Sequence, residues 1–382
     1  MTANDKDRFW AANMISEEQN CFNPEAAQVA MGIRMNEECV YAELNEEGDP
    51  WNFLSLPIER RCELNKRYND RAVRIVGIPL LPEEFDPPDA QFPYVKRIGE
   101  VFGGVYQIGY QTGEWLSHPS LKSEEELGRQ LDAVDTLLAD DFRLLRQFIY
   151  PDNWEAEKRR IYDSYGKRPP VLRRLRGPVT LASSLYGVDL LSYLAMDNPD
   201  LFVRFGDTIR AVILAMAAIS DEEAGYGADD SPRGFFFADD DCAFFTPDMY
   251  RRFGYPVLRD VFARYAPDEQ DTRYQHSDSP MAHLLPQLGS LQLNGCNFGP
   301  TVLVPEIRAS LPDARIDGCL APFTFMENDT EKIRAEVRRD CQDIKGTGTR
   351  GLSIYTAGSI NNGSSLESML TVMESVMEYG QY

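Results

Sequence analysis

The carboxyl half of the chain repeats one pattern, in which a short apolar run ends in polar residues and a helical pattern follows. Strands that alternate with helices pair in parallel, because each crossover must carry the chain back across the sheet. The pattern therefore predicts a parallel α/β fold. The five runs and the polar residues after them are 234–238 before Asp239-Asp240-Asp241, 272–275 before His276-Ser277-Asp278, 290–293 before Asn294-Gly295-Cys296, 314–316 before Asp317-Gly318-Cys319, and 351–355 before Thr356-Ala357-Gly358-Ser359.

Three earlier segments, 72–80, 104–109 and 171–183, are further strand candidates. About eight such units without a dinucleotide glycine fingerprint favour a (β/α)8 TIM barrel over an open doubly wound sheet. We therefore predict one barrel over residues 71–382, with an N-terminal helical extension over residues 1–70 packed on it.

Four segments carry helix signals. Asn23 precedes Pro24 as a capping residue, which predicts a helix over 24–31. The acidic segment 122–141 carries an apolar stripe at helical spacing, formed by Leu127, Leu131, Val134 and Leu138. Thr246-Pro247 and Ser279-Pro280 each place a capping residue before a proline that suits the first turn.

The charge balance excludes some classes of partner. The chain has 39 basic and 61 acidic residues, a net charge of −22. Non-specific binding to nucleic acid or to an anionic membrane requires clustered positive charge, so neither partner is expected. An anionic small molecule is not excluded, because a local arginine cluster can dominate one pocket. The seven cysteines form no CxxC pair, and there is no apolar leader and no apolar stretch long enough to cross a bilayer. We therefore expect a soluble, reduced, cytoplasmic protein.

His276 is the strongest candidate for a functional residue. Functional residues of a barrel gather at the carboxyl ends of its strands, and His276 ends one of the predicted strands. The His-x-Asp spacing directs the imidazole and the Asp278 carboxylate to the same side, where they could bind a metal or act as base and orienter. The alternative is a histidine that only hydrogen-bonds its loop. His118 and His283 are interpreted as structural.

Other polar residues at predicted strand ends have two interpretations each. The run Asp239-Asp240-Asp241 could supply a buried carboxylate with a raised pKa or a metal ligand, or it could cap a helix and be solvated. Cys296 and Cys319 could be thiolate ligands, or small buried side chains.

Five motifs spread in order over residues 177 to 360 resemble the uroporphyrinogen decarboxylase superfamily. That superfamily includes the decarboxylase of haem synthesis and the cobalamin-dependent methyltransferases, and the resemblance implies a barrel fold and a homodimer. The motifs are Gly177-Pro178-Val179-Thr180-Leu181 with Gly187, Phe245-Thr246-Pro247-Asp248-Met249-Tyr250, His276-Ser277-Asp278, Leu284-Leu285-Pro286-Gln287-Leu288, and Tyr355-Thr356-Ala357-Gly358-Ser359-Ile360.

The sequence departs from the decarboxylase of that superfamily. The decarboxylase carries an Arg-Gln-Ala-Gly-Arg-Tyr motif near its start, which this chain lacks. The position of its catalytic aspartate falls at Ile78, and that of its active-site tyrosine falls near Ser184, with Tyr186 close by. These departures disfavour decarboxylation of uroporphyrinogen itself.

The resemblance to the methyltransferases implies a zinc site. Those enzymes bind zinc through His-x-Cys and a later cysteine, where this chain has His276-x-Asp278 and Ser359. The resemblance places His276 and Asp278 at the metal, and the predicted strand ends add Cys296 and Cys319 as further candidate ligands. The candidate catalytic residues are His276, Asp278, Asp241 and Tyr186.

Three functions remain open at this point. The first is a corrinoid-dependent methyltransferase that demethylates a small methoxylated or methylated compound with zinc, the corrinoid being carried by a partner protein. The second is a decarboxylase acting on a tetrapyrrole or another polycarboxylate. The third is a non-catalytic barrel that binds a tetrapyrrole or corrinoid.

Overall fold

The computed structural model describes residues 1–19, 21–109, 113–117, 121–227, 230–358 and 360–382. The strands in these residues are β1 (Ala30–Met31), β2 (Val105–Gly109), β3 (Gly113–Ser117), β4 (Arg174–Arg176), β5 (Phe235–Ala238), β6 (Arg273–Ser277), β7 (Gly295–Phe298), β8 (Arg315–Leu320) and β9 (Leu352–Thr356).

The α-helices are α1 (Ala3–Asn13), α2 (Val40–Leu44), α3 (Ile58–Ile75), α4 (Ile98–Val101), α5 (Glu124–Leu138), α6 (Arg143–Ile149), α7 (Trp154–Tyr165), α8 (Pro178–Tyr186), α9 (Val188–Asp197), α10 (Pro199–Glu223), α11 (Pro247–Arg252), α12 (Gly254–Tyr265), α13 (Leu285–Ser290), α14 (Val304–Ser310), α15 (Pro322–Met326), α16 (Thr330–Gly346) and α17 (Leu366–Tyr379). Shorter 3-10 turns connect several of them.

The chain divides into two compact units, and the first combines Met1–Phe85 with His276–Tyr382. In this unit β1 pairs in parallel with β9, β9 with β8, and β8 with β7. All four residues of β7 are buried, as are five of the six residues of β8. Parallel strands that are covered on both faces are largely buried, and in β7 and β8 that burial includes the polar residues Asn297 and Asp317.

The second unit is Asp86–Gln275, and it contains both parallel and antiparallel strands. In it β4 pairs in parallel with β5, whereas β2 and β3 form an antiparallel hairpin. Strand β6 passes from one unit to the other, because the boundary falls after Gln275. Seven strands, β1 and β4 to β9, belong to one sheet. The α/β class predicted from the sequence is confirmed.

Two of the predicted helices form as expected. Ser123 caps α5 by accepting a hydrogen bond from the backbone N–H of Glu126, at 3.2 Å. Leu127 and Leu131 on this helix are buried, and each such side chain contributes about 1.5–3 kcal/mol. Thr246 caps α11 through the N–H of Met249, also at 3.2 Å, and Pro247 lies in the first turn.

Two predictions near the amino terminus are wrong. Residues 24–31 form no helix, because Ala30 and Met31 pair with β9 as β1 and are fully buried in the sheet. Segment 72–80 forms no strand, since α3 continues to Ile75. Leu64, Tyr68 and Ala72 recur at helical spacing on the buried face of α3, so packing of that face overrides the local apolar run.

Three further predictions need correction. The strand predicted at 290–293 lies later, at β7, so Cys296 is inside a strand and not beyond its end. Ser279-Pro280 starts no α-helix, because α13 begins only after a 3-10 turn, Ala282–Leu284. Segment 104–109 does form strand β2, but its partner is the hairpin strand β3 and not a strand of the sheet.

The amino-terminal residues contribute to the first unit and its sheet. The boundary predicted between residues 70 and 71 falls within α3, and β1 comes from the segment predicted to lie outside the barrel.

Among the described residues, a helix both long and apolar enough to span a bilayer is not found. Helices α8 and α9 meet those criteria only when taken together, and they meet at a bend of 102°.

Candidate functional site

His276 and Asp278 lie together where β6 ends in the first unit. His276 is half-buried, Asp278 is exposed, and a ligand atom of one lies within 4.8 Å of a ligand atom of the other. Residues two apart in an extended chain point to the same side, so the spacing in the sequence already predicts this proximity. The pair combines one nitrogen donor with one carboxylate.

Asn297 of β7 sets the orientation of the His276 ring. Its amide nitrogen donates to the carbonyl oxygen of Thr356, at 3.1 Å, and to that of Asp317. Its Oδ1 accepts from the N–H of Gly358, at 3.0 Å, and lies 2.7 Å from Nδ1 of His276. Since Oδ1 can only accept, Nδ1 of His276 carries the proton. In the neutral imidazole, Nε2 is then the unprotonated nitrogen that can bind a metal or accept a proton.

Gly358 borders the space between the two donor groups. A Cβ at this position would lie 3.6 Å from Cε1 of His276, 3.9 Å from its Nε2 and 3.7 Å from Oδ2 of Asp278. Its φ of +84° lies in the region that favours glycine. A larger residue would therefore fill the space that faces both Nε2 and the carboxylate.

Gly299, after β7, fixes the backbone that carries Asp278. Its N–H donates to the carbonyl oxygen of Ser277, at 3.0 Å. A Cβ on Gly299 would overlap the carbonyl oxygen of Asp278, so only glycine allows this approach. Strand β7 and the residue after it therefore hold the end of β6 at two points, through Asn297 and Gly299.

Cys296 and Cys319, both predicted from the sequence as metal ligands, do not join this group of ligand atoms. Cys296 precedes Asn297 in β7, so its side chain points to the opposite face of the sheet. Both cysteines are buried, and burial raises the pKa of each thiol well above its usual value. The backbone N–H of Cys319 donates to the carboxylate of Asp340, on helix α16. The structure thus places both as buried thiols.

Asp317, Asn294 and Ser359 complete the predicted strand-end residues of this unit. Asp317 is buried and pairs with Arg315 at 2.6 Å, and Arg315 also pairs with Glu17 at 2.6 Å. Asn294 precedes β7. Ser359 lies outside the described residues, as does His118. His283 is exposed in the 3-10 turn before α13.

Asp239 is a buried carboxyl group in the second unit, directly after β5. Its Oδ1 accepts from the backbone N–H of Thr180, at 2.8 Å, and a Cβ on Gly177 would overlap its side chain. Its Oδ2 has no hydrogen-bond partner among the described residues. Burial raises the pKa of Asp239 to about 7, because the charged form loses its hydration there. This carboxyl can therefore hold or release a proton near neutral pH.

The remaining predicted residues of the second unit are Asp241 and Tyr186. Asp241 is half-buried, and its N–H donates to Oγ1 of Thr180, at 2.9 Å. Thr180 thus links the Gly-Pro motif to the acidic run through two hydrogen bonds. Tyr186 ends α8, and burial raises the pKa of its phenol, which stays protonated at neutral pH.

Parallel strands that alternate with helices, with polar residues near their carboxyl ends, are typical of α/β proteins whose site lies at that edge of the sheet. The family model "Uroporphyrinogen decarboxylase (URO-D)" matches residues 157–379, more than half of the chain. The chain belongs to this family, and its fold is the (β/α)8 barrel of the family.

One solved structure with a similar fold is described as a "methyltransferase from Methanosarcina mazei". It is 17% identical to this chain, with a TM-score of 0.52, and the match covers 91% of this chain and 96% of that one. At this identity the likeness shows the fold alone. A search of curated proteins finds no match.

Asn297 and Gly358 are not among the candidate site residues predicted from the sequence. Asn297 lies inside a buried strand, where an amide is unusual because its polar groups need partners. Gly358 is visible in the Tyr355–Ile360 motif, but only the three-dimensional distances show which groups its missing side chain leaves accessible.

Proposed function

We propose that this protein is a metal-assisted methyltransferase, which demethylates a small methoxylated or methylated compound and passes the methyl group to a corrinoid carried by a partner protein. The observation that carries the proposal is the hydrogen bond from His276 to Asn297, because it leaves Nε2 unprotonated beside the Asp278 carboxylate. The family match is compatible with this class of enzyme, and the similar solved structure is described as a methyltransferase. A cytoplasmic location and a homodimer remain part of the proposal.

The two donor groups fit a divalent metal ion such as zinc. Zinc binds histidine nitrogen and carboxylate oxygen, and the space beside Gly358 is open toward both. When bound, zinc would polarise the heteroatom that carries the methyl group, which makes the methyl carbon more electrophilic. His276 and Asp278 would hold the ion, and Asp241 and Tyr186 stay predicted contributors.

The residues of the chain would prepare this step in three ways. Asn297 holds the imidazole in one tautomer, so that no proton must leave Nε2 before it binds. The negative charge of the Asp278 carboxylate would offset part of the positive charge of the metal ion. Gly358 leaves room for an exchangeable ligand, which a catalytic zinc site requires.

The test compares His276→Ala with His283→Ala. His276→Ala should lose stoichiometric zinc, measured by plasma mass spectrometry, and methyl transfer to reduced cobalamin from methoxylated compounds. His283→Ala, which removes an exposed histidine, should keep both. If His276→Ala folds and keeps its zinc and its activity, the proposed site is wrong. Asp278→Asn and Asp241→Asn test the two carboxylates in the same assay.

Decarboxylation is a second candidate, and Asp239 is the observation that favours it. A carboxyl with its pKa raised to about 7 can protonate the carbon that loses carbon dioxide. Turnover of a porphyrinogen or another polycarboxylate that stops in Asp239→Asn, but persists in His276→Ala without metal, would favour this candidate over methyl transfer. Ligand binding without any turnover would favour a non-catalytic tetrapyrrole- or corrinoid-binding barrel.

A further inference from the structure

A cavity of about 570 Å³ lies beside strand β4 in the second unit. Its walls are mainly aromatic and aliphatic, and the rings of Tyr150 and Trp154 lie 4.4 Å apart in one wall. Strand β4 pairs with β5 and is the last strand in the order of the sheet, and all three of its residues line the cavity. A cavity of this volume can enclose a small organic molecule.

Among the residues that the structure describes, the charged ones lining this cavity are all basic: Lys96, Arg97, Arg174 and Arg176. The chain as a whole has the opposite balance, with 61 acidic and 39 basic residues. Within the described ranges, Lys96, Arg174 and Arg176 form no ion pair. The adjacent Arg173, in contrast, pairs with Asp221 at 2.7 Å. Three cations therefore line one cavity, and none of them pairs with a carboxylate in the described part of the chain.

Neutral groups hold these cations in place. The guanidinium of Arg174 lies 4.0 Å from the ring centroid of Phe236, and the ammonium of Lys96 lies 3.9 Å from that of Phe148. Arg176 donates to the hydroxyl of Ser184, at 3.1 Å. Contacts with rings and hydroxyls orient a cation without cancelling its charge. An oriented guanidinium is suited to two parallel hydrogen bonds to a carboxylate or phosphate.

We propose that this cavity binds a small organic anion, with a flat apolar body against the aromatic wall and a carboxylate or phosphate group on Arg174 and Arg176. The proposal is independent of methyl transfer and of any metal at His276. If the cavity does not bind an anion, the proposed methyl transfer is not affected. If the protein does not transfer methyl groups, the proposed anion site is not affected either.

The probes are 2-naphthoate, 2-naphthyl phosphate and the uncharged 2-naphthol. Binding is followed by calorimetry and by quenching of tryptophan fluorescence, with Trp154→Phe assigning the quenching to the cavity. At least one anion should bind the wild type about tenfold more tightly than 2-naphthol, because charge-assisted hydrogen bonds are added. The stronger of the two anions identifies the acidic group. Equal binding of 2-naphthol, or no binding of either anion at millimolar concentration, would overturn the proposal.

The double variant Arg174→Gln with Arg176→Gln tests the assignment to these residues. It should bind the preferred anion at least about tenfold more weakly and leave 2-naphthol binding unchanged. Arg264→Gln is the matched control, since Arg264 is exposed over the ring of Tyr265 and does not line the cavity. The single variants Arg174→Gln and Arg176→Gln give the same test if the double variant does not fold. Unchanged anion affinity in the folded double variant, or in both single variants where they substitute for it, would contradict the proposal.

Discussion

Asn297 is the single side chain on which the chemistry of His276 depends. All of its hydrogen bonds serve to orient one oxygen: two backbone carbonyls take its amide protons, and the N–H of Gly358 approaches the same Oδ1 that faces His276. An amide in a buried strand is stabilising only if its groups are paired, and here each pairing also fixes the tautomer of the imidazole. Asn297 is therefore a positioning residue.

Replacing Asn297 should change the tautomer of His276 and its affinity for metal. In Asn297→Ala we expect zinc binding about 10–100-fold weaker, since the acceptor of the Nδ1 proton is lost. In ¹⁵N spectra of the imidazoles, the neutral wild type should show the Nδ1–H tautomer and the variant a mixture. Asn297→Asp keeps an acceptor oxygen and should recover part of the zinc affinity. An Nε2–H tautomer in the wild type would contradict this role.

Asp239 should make stability depend on pH. Its pKa is raised by burial from 3.8 to about 7, so the folded state keeps a proton that the unfolded chain releases above pH 3.8. The stability that this carboxyl contributes is therefore complete below pH 3.8 and is lost as the pH rises toward 7. Asp239→Asn stays neutral at all these pH values. The free energy of unfolding of this variant, relative to that of the wild type, should therefore rise by about 1.4 kcal/mol per pH unit in this window.

Urea unfolding of Asp239→Asn and the wild type at pH 5, 6, 7 and 8 measures this difference. The gain should level off above pH 7. Asp197→Asn, at an exposed position that ends α9, should follow the wild type throughout. A constant difference between Asp239→Asn and the wild type across these values would show that the Asp239 carboxyl is ionised in the folded state.

The capping signals of the helices separate what the sequence predicts well from what it predicts poorly. Thr246-Pro247 and Ser279-Pro280 look alike in the sequence, yet only the first starts an α-helix. After Ser279 the chain forms a 3-10 turn, and α13 begins six residues later. A cap residue and a proline permit a helix start, but packing of the following residues decides whether the helix forms there.

Thr246→Ala and Ser279→Ala test this difference directly. Thr246→Ala removes the side-chain oxygen that accepts from the N–H of Met249, and should lower the free energy of unfolding by about 0.5–2 kcal/mol. Ser279→Ala should change it by less than about 0.5 kcal/mol, since no helix depends on it. Denaturant unfolding of both variants gives the comparison. Equal losses would mean that Ser279 also has a capping role.

Among the strands, too, local sequence patterns predict some elements and miss those that depend on contacts distant in the chain. The apolar run at 234–238 predicts β5 with nearly its observed bounds, and the run at 351–355 predicts β9. The run predicted at 314–316 covers only the start of β8, so Asp317 and Cys319 lie inside that strand and not beyond its end. Strand β1 has only two residues, and its pairing with β9 brings together segments more than 300 residues apart in the chain. No local pattern reports such a contact, and the same holds for the hydrogen bond between Asn297 and His276.

For the whole molecule, the sequence predicts the barrel and the family more completely than the site. Five motifs in the order of the family, spread over residues 177–360, indicate the family, and the family model matches residues 157–379. The proximity of His276 and Asp278 follows from their spacing, because it is local. Asn297 and Gly358 come from other strands and loops, so their contribution depends on the register of the sheet, which the sequence does not show.

Zinc should stabilise the first unit across segments far apart in the sequence. If the ion binds at His276 and Asp278, it restrains the end of β6 and, through Asn297 and Gly358, the ends of β7 and β9. Binding to the folded state alone raises the free energy of unfolding by RT ln(1 + [Zn]/Kd), about 2.7 kcal/mol at 100 times Kd. Hydrogen exchange should slow in peptides covering these three strand ends, and helix α17 serves as an internal reference. The protection should disappear with a chelator and in His276→Ala, and persist in His283→Ala. Protection that is equal in both histidine variants would show that zinc stabilises this unit from another position.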